Sequence, residues 1–161
     1  MSNWPGDDTV FPLCMPIIKQ FEGYKTAPYL DSVGVATIGY GTTFYPDSSK
    51  VTMKDPDCND TEATAWLSFA MSQMSKQIAG ALTRPATLHQ AAAMLSLSYN
   101  IGAGNFKTST VLRKFNAGDI QDAADAFLMW DKGTVDGKLV VIDGLKNRRT
   151  RERTIFLTAD G

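Results

Sequence analysis

The chain has 161 residues, of which 43% are hydrophobic and 20% charged, with a formal net charge of −1 and a pI of about 5.7. This length suits one domain, and the composition is typical of a globular protein and excludes a disordered chain. The near-neutral charge gives no support for binding to nucleic acid or an anionic surface through bulk positive charge, so we predict no nucleic-acid partner.

The first predicted element is a short helix. Residues 1–13 are expected to form a loose lead-in, because Pro16 suits the first turn of a helix, where its missing N–H costs nothing. The apolar residues that follow give this helix one apolar side, and it is expected to end near Gly23. Glu22 therefore lies at the end of the predicted helix.

Strand signals follow the helix. A β-rich run that begins at Pro28 is interrupted at residues 31–34 by turn-forming residues, which predicts a hairpin. A second turn and a short strand over about residues 50–53 are expected next. Together these elements predict a small β-lobe over about residues 22–58.

Helical patterns occupy the rest of the chain. Asn59, with Glu62 three residues later, resembles a capping pair and predicts a helix that continues to about residue 83. Thr87 and Gln90 form a second such pair. The helix after this second pair is apolar and rich in small residues, so we expect it to lie deep in the core.

Two shorter helices are predicted next in the chain. Gly102 and Gly104 are expected to end the core helix. Ser109 or Thr108 is then expected to cap one short helix, and Asp119 to cap another.

The last part of the chain is predicted to hold a loop and one more helix. Residues 131–139 are expected to form the loop, and Asp143 opens the helix, which has a basic stretch over residues 146–153. The sequence leaves open whether this basic side contacts an anionic cell wall or is simply solvated. The predicted fold class is α+β: a small β-lobe is followed by a larger helical lobe over about residues 59–161, and the whole chain 1–161 forms one domain with a cleft between the lobes.

Two carboxylates and a hydroxyl occur close together early in the chain, at Glu22, Asp31 and Thr37. Two carboxyl groups in different surroundings can divide acid and base work, as glycoside hydrolysis requires. Glu22, at a helix end among aromatic residues, is the better candidate for the acid, and Asp31, in a polar turn, for the ionised partner. The spacing of Glu22 and Asp31 alone is equally consistent with an Asp31 that only forms the hairpin turn.

The stretch "FEGYKTAPYLDSVGVATIGYGTT" over residues 21–43 resembles the active-site signature of the phage-type lysozymes, the muramidases related to the lysozyme of T-even phages. That signature is Glu, eight residues, Asp, five residues, Thr, within Phe-Glu-Gly, Tyr-x-Asp and Thr-Ile-Gly-Tyr-Gly elements. Every element is present here. The family, glycoside hydrolase family 24, implies a lysozyme-like fold with a cleft between a β-lobe and a helical lobe.

Two later blocks extend the resemblance from about residue 17 to residue 157. They are "LSLSYNIGAGNFKTSTVLRKFNAGD", similar to the central helix of the family, and "GLKNRRTRERTIFL", similar to its closing helix. One position departs from the pattern: Thr42 stands where many members have histidine. Any ion pair made by that histidine is therefore absent, and we interpret the change as a difference in stability.

The resemblance implies a role for each residue of the signature. Glu22 is the implied general acid, Asp31 the second carboxylate, and Thr37 the partner that positions a water with Asp31. These three residues are the predicted catalytic residues.

Three further residues are predicted to contact the sugar chain: Tyr99, Asn100 and Thr43. Tyr99 and Asn100 close the core helix and are predicted to face the cleft. The alternative for Tyr99 is a purely structural aromatic residue of the core.

The implied function is that of an endolysin, which hydrolyses the β-1,4 bond between N-acetylmuramic acid and N-acetylglucosamine in peptidoglycan. The alternatives are a lytic transglycosylase, a virion-associated wall-degrading lysozyme, and a wall-binding module without activity. A transglycosylase has no water to position, so intact Asp31 and Thr37 favour hydrolysis. Retention of all three polar residues of the signature speaks against an inactive module.

The predicted partners follow from the same features. The glycan strand is the expected substrate, and the protein is expected to be a monomer. The resemblance implies that it stays in the host cytoplasm until a phage holin releases it to the periplasm and cell wall. The start of the sequence has no signal-peptide pattern, and no stretch approaches the roughly 20 apolar residues of a membrane span, so no stable membrane insertion is expected. Cys14 and Cys58 favour buried free thiols over a bridge, and a single histidine, His89, argues against a metal, so no cofactor is expected.

Overall fold

The computed structural model describes residues 2–161, and its first element is a long helix. Helix α1 spans Asp7–Glu22, so the prediction of a loose lead-in over residues 1–13 was wrong. Val10, Cys14, Ile17 and Ile18 form a buried stripe at helical spacing, which extends the helix toward its start.

Two prolines lie inside α1, at Pro12 and Pro16. An interior proline costs a helix about 3 kcal/mol because it removes one N–H and crowds a carbonyl. The four-residue spacing places both rings on the exposed side of the helix, where water can hydrate the unbonded carbonyls. Burial of the opposite stripe is therefore sufficient to keep the helix continuous through both prolines.

The predicted hairpin is present. Strand β1 (Lys25–Leu30) pairs antiparallel with β2 (Ala36–Gly39), with Tyr29 opposite Thr37. The strand expected over residues 50–53 is reduced to one isolated bridge between Phe44 and Lys50.

Both predicted capping pairs are confirmed as complete capping boxes. Asn59 and Glu62 cap α2 (Asp60–Ala79), which ends before the expected residue 83. Thr87 and Gln90 cap α3 (Leu88–Ile101). These boxes fix the start of α2 and α3.

Short helices follow α3. They are α4 (Ala103–Lys107), α5 (Thr110–Asn116), α6 (Ile120–Ala126) and a 3-10 turn (Phe127–Trp130). Gly102 ends α3 as predicted, but Gly104 lies inside α4. Ser109, rather than Thr108, caps α5 by accepting a hydrogen bond from the backbone of Leu112, whereas Asp119 precedes α6 without a side-chain cap.

A second hairpin replaces the loop predicted over residues 131–139. Strands β3 (Lys132–Val135) and β4 (Lys138–Val141) pair antiparallel, joined by Asp136 and Gly137 with φ of 51° and 77°. Two successive residues with positive φ form the turn that matches strand twist, and Asp-Gly is the pair that favours it. The prediction of a loop was wrong, because Asp136-Gly137 is itself a hairpin signal between two short strands.

The core is built around α3. Its residues 91–98 are all buried, and α1, α2 and the closing helix α7 (Asp143–Phe156) contact it. The fold is therefore α+β, with a small strand region and a larger helical region, as predicted. Within residues 2–161, none of the helices is both long and apolar enough to span a membrane. The assignment of the chain to one domain and to a monomer stays a prediction.

Candidate active site

A cleft of about 780 Å³ lies where the end of α1, the segment after β2, one side of α2 and the end of α3 meet. Four of the predicted site residues line it: Glu22, Thr43, Tyr99 and Asn100. The other two, Asp31 and Thr37, do not line this cleft and lie on the neighbouring hairpin.

Glu22 is the last residue of α1, and its side chain is 22% exposed. Arg148 of α7 donates from Nη1 to Glu22 Oε1 at 2.9 Å. The Arg148 side chain is only 3% exposed, so the guanidinium that holds Glu22 is itself fixed by the core.

Buried charges surround Arg148. It donates to the carboxylate of Glu152 at 3.3 Å and to the backbone oxygen of Ser96 at 3.0 Å. Arg149 also donates to Glu152, and the Ser96 hydroxyl donates to it as well. Burial raises the pKa of Glu152 and lowers that of Arg149, while their mutual attraction opposes both shifts. Because all three donors face the oxygens of Glu152, the arrangement is that of a carboxylate shared by two guanidiniums.

Asp31 lies directly after β1, at the start of the hairpin turn. Its Oδ1 accepts hydrogen bonds from the backbone N–H groups of Val33 at 2.9 Å and Val35 at 2.8 Å. Within residues 2–161, no donor is bonded to Oδ2. Asp31 is thus a turn former that still has one carboxylate oxygen available to water or a ligand.

Thr37 is 3% exposed, and its hydroxyl donates to the backbone oxygen of Val35 at 2.9 Å. Its partner across the hairpin is Tyr29. Burial raises the pKa of the Tyr29 phenol, and the charges of Glu22 and Asp31 raise it further.

Tyr99 and Asn100 have structural roles in addition to their places in the cleft wall. The Tyr99 hydroxyl donates to the backbone oxygen of Tyr40 at 3.1 Å, and burial raises the Tyr99 pKa. Asn100 Oδ1 accepts a hydrogen bond from the buried Arg149. Their contact with sugar stays a prediction, and Asn100 holds the buried charge cluster as well.

A comparison with protein families agrees with this geometry. Residues 19–152 match the family described as Phage lysozyme. The chain belongs to the phage lysozyme family. Lysozymes are glycoside hydrolases, so this protein is a hydrolytic enzyme.

Relatives of this lysozyme cover most of the chain. The endolysin of Salmonella phage P22 is 36% identical over 141 residues, which span 88% of this chain and 92% of that protein. The SAR-endolysin of Bacteriophage PS119 is 36% identical over 137 residues, which span 84% of this chain and 76% of that protein. The solved endolysin from Escherichia coli O157:H7 phage FAHEc1 superposes with a TM-score of 0.83 at 36% identity over 89% of each chain.

The basic stretch of α7 is partly buried in this lysozyme, which the sequence did not reveal. Arg148 and Arg149 are 2% and 0% exposed and bind Glu152, so they belong neither to a solvated face nor to a wall-binding face. The signal that was available is Glu152 at helical spacing from both arginines, which predicts ion pairs on one side of the helix.

Gly41 approaches Glu22 so closely that a larger residue does not fit. A Cβ at this position would lie 2.7 Å from Glu22 Oε2, and the φ of Gly41 is +81°. Gly41→Ala is expected to lower lytic activity by about 100-fold, because the displaced carboxylate loses its bond to Arg148. The strained backbone should also cost about 1–3 kcal/mol of stability.

Gly137→Ala is the matched control for this substitution. Its φ is +77°, and a Cβ there would have open space. It should lose similar stability with activity retained; equal activity losses in the two variants would show that backbone strain, and not Glu22, is responsible. Turbidity clearance and thermal unfolding give the two measurements.

Thr42 has a buried hydroxyl for which the described residues provide no hydrogen-bond partner. A buried unpaired hydroxyl costs free energy, so Thr42→Val is expected to raise the free energy of unfolding by about 1 kcal/mol. Thr37→Val is the control, because Thr37 is equally buried but its hydroxyl donates to a carbonyl; it should destabilise the protein. Urea unfolding of both variants measures the difference, and a destabilised Thr42→Val would contradict this interpretation.

Proposed function

We propose that this lysozyme is an endolysin that hydrolyses the β-1,4 bond between N-acetylmuramic acid and N-acetylglucosamine in bacterial peptidoglycan. The observation that carries the proposal is the position of Glu22 at the wall of a cleft of about 780 Å³, where a buried arginine holds its side chain. The P22 and PS119 relatives, named endolysin and SAR-endolysin, support a role in lysis of the host.

Glu22 is proposed to protonate the leaving oxygen. Arg148 binds Oε1, which leaves Oε2 as the oxygen that carries the proton. Glu152 binds the same guanidinium and offsets part of its charge, although Arg149 shares that carboxylate. Arg148 therefore orients Glu22, and Glu152 reduces the positive charge that opposes protonation of Glu22.

Asp31 and Thr37 are proposed to orient the attacking water. The water oxygen forms a bond to the anomeric carbon, and the free Oδ2 of Asp31 accepts a proton from that water. The Thr37 hydroxyl donates to a carbonyl, so its lone pairs remain to accept a hydrogen bond from the same water. The glycosidic bond breaks, and the leaving oxygen takes the proton of Glu22.

This arrangement predicts inversion at the anomeric carbon. A carboxylate beside a hydroxyl can hold and activate a water molecule, as an inverting enzyme requires. A retaining enzyme instead uses the second carboxylate as the nucleophile. Proton NMR of the first-formed reducing end should show the α-anomer; an initial β-anomer would rule out the single-displacement route.

Release of reducing ends from purified peptidoglycan tests the proposed substrate. Wild-type protein should generate reducing ends and clear suspensions of permeabilised Gram-negative cells. Absence of new reducing ends from intact sacculi would refute the proposed reaction.

Release to the wall is proposed to depend on a phage holin. Expression of the chain alone in a Gram-negative host should leave the culture turbid, and co-expression of a holin should cause lysis. Lysis without holin or chemical permeabilisation would instead favour a membrane-release route of the kind that the SAR-endolysin names indicate.

A further inference from the structure

Two exposed phenylalanines line the cleft that contains Glu22. The chain has eight phenylalanines, all within residues 2–161. Two of them have exposed side chains: Phe44 is 55% exposed and Phe69 is 41% exposed. Both contribute to the wall of the 780 Å³ cleft. Exposed large apolar side chains gathered at a concave surface mark a binding site.

Phe44 begins a segment that we name the cleft loop, residues 44–55. Phe44 pairs with Lys50 across an isolated bridge, and Tyr45 N donates to Ser49 O at 2.9 Å. The ring of Tyr45 packs edge-on against Trp66, with centroids 4.9 Å apart. The loop is therefore anchored to the body of the protein, while the Phe44 ring stays about half exposed with Lys50 Nζ 5.8 Å from its centroid.

Asp55 fixes the far end of the cleft loop. It accepts hydrogen bonds from the Tyr45 hydroxyl at 2.7 Å and from the hydroxyl and N–H of Thr52 at 2.7 and 2.9 Å. These bonds lower the pKa of Asp55, so the brace is complete at neutral pH. A braced loop presents Phe44 in one place before any ligand binds, which reduces the ordering cost of binding.

The opposite wall is one side of α2. Phe69, Gln73 and Gln77 recur every four residues and line the cleft, whereas Leu67 and Met71 are buried on the other side. Within residues 2–161, no hydrogen bond engages the side-chain amide of either glutamine. This face of α2 offers an exposed aromatic ring beside free amide donors and acceptors.

We propose that Phe44, Phe69, Gln73 and Gln77 form a distal subsite for the glycan strand, away from the bond that is cleaved. The polarised C–H groups on one face of a sugar ring suit the negative face of an aromatic ring, and the acetamido and hydroxyl groups suit glutamine amides. The inference rests on the proposed function, because a strand whose scissile bond lies at Glu22 extends along the same continuous cleft.

Binding of glycan strands of graded length to the Glu22→Gln variant tests the proposal, since the strands remain uncleaved. The strands are prepared from peptidoglycan as two sets, one freed of stem peptides with an amidase and one that retains them, and both sets are titrated calorimetrically. Phe44→Ala and Phe69→Ala, each added to this background, are expected to weaken binding of the longest strands about tenfold. The loss should shrink as the strands become shorter, and Phe44→Trp should restore the affinity.

Met53→Ala is the matched control. Met53 is 49% exposed on the same loop but does not line the cleft, so this variant should bind every strand as the parent does. Thermal unfolding of all variants shows whether they remain folded.

Three results would overturn the proposal: unchanged affinity for the longest strands in both alanine variants, an equal loss at every length, or a loss confined to strands that carry stem peptides. The last would make the surface a peptide site. Failure of the proposed function is distinguishable, because wild-type protein would then release no reducing ends from any strand.

Discussion

Glu22→Gln is expected to abolish lysis while leaving the fold intact. The amide has the shape of the carboxyl group, and its oxygen can still accept the hydrogen bond from Arg148 Nη1 that now measures 2.9 Å to Glu22. It cannot donate a proton to the leaving oxygen. General acid catalysis contributes about 10²–10⁴-fold, so the rate of turbidity clearance should fall by at least about 100-fold.

Glu62→Gln provides a control for the loss of one carboxylate. Glu62 caps α2 through its side chain and lies outside the cleft lining, and glutamine can replace it in a capping box. Clearance should therefore remain at the wild-type rate in this variant. Near-wild-type clearance by Glu22→Gln, with circular dichroism unchanged, would contradict the assignment of Glu22 as the acid.

Glu152→Gln is expected to produce the largest loss of stability. The neutral amide leaves Arg148 and Arg149, both almost fully buried, without the carboxylate that they share. Removing one partner from a buried ion pair costs about 3–5 kcal/mol, because an uncompensated charge remains in the core. Urea unfolding should show this loss, and activity should fall as well, since Arg148 positions Glu22.

Asp125→Asn is the matched control for Glu152→Gln. Asp125 of α6 binds Arg153, which follows Glu152 on α7, at 2.8 Å, but the Asp125 side chain is 53% exposed. An exposed ion pair contributes about 0–1 kcal/mol, so this variant should unfold nearly as wild type does. Comparable stability of the two variants would show that the buried cluster does not depend on Glu152.

Local features of the fold could be predicted from the sequence. The capping boxes that begin at Asn59 and Thr87 each depend on two residues that are three positions apart. The first hairpin depends on a turn of four consecutive residues, so both features can be recognised from a short stretch of sequence. The start of α1 could not be found by treating Pro16 as a first-turn residue, because buried apolar spacing outweighed two interior prolines.

Long-range features of the candidate site could not be predicted in the same way. The partner of Glu22 is 126 residues away at Arg148, within a basic stretch that appears solvated when only its own composition is considered. The exposure of Phe44 and Phe69 at one cleft likewise depends on how the β-lobe meets α2. Family resemblance identified the polar residues of the signature but not the surfaces around them.

Mass spectrometry of peptidoglycan digested by the wild-type protein tests the central claim most directly, because it reports both the bond and the chemistry. Muropeptides ending in reducing N-acetylmuramic acid, with one water added across the cleaved bond, are the predicted products. Products ending in 1,6-anhydro-N-acetylmuramic acid would identify a transglycosylase, and products ending in reducing N-acetylglucosamine would place the cut at the other glycosidic bond. Either result would contradict the proposed hydrolysis.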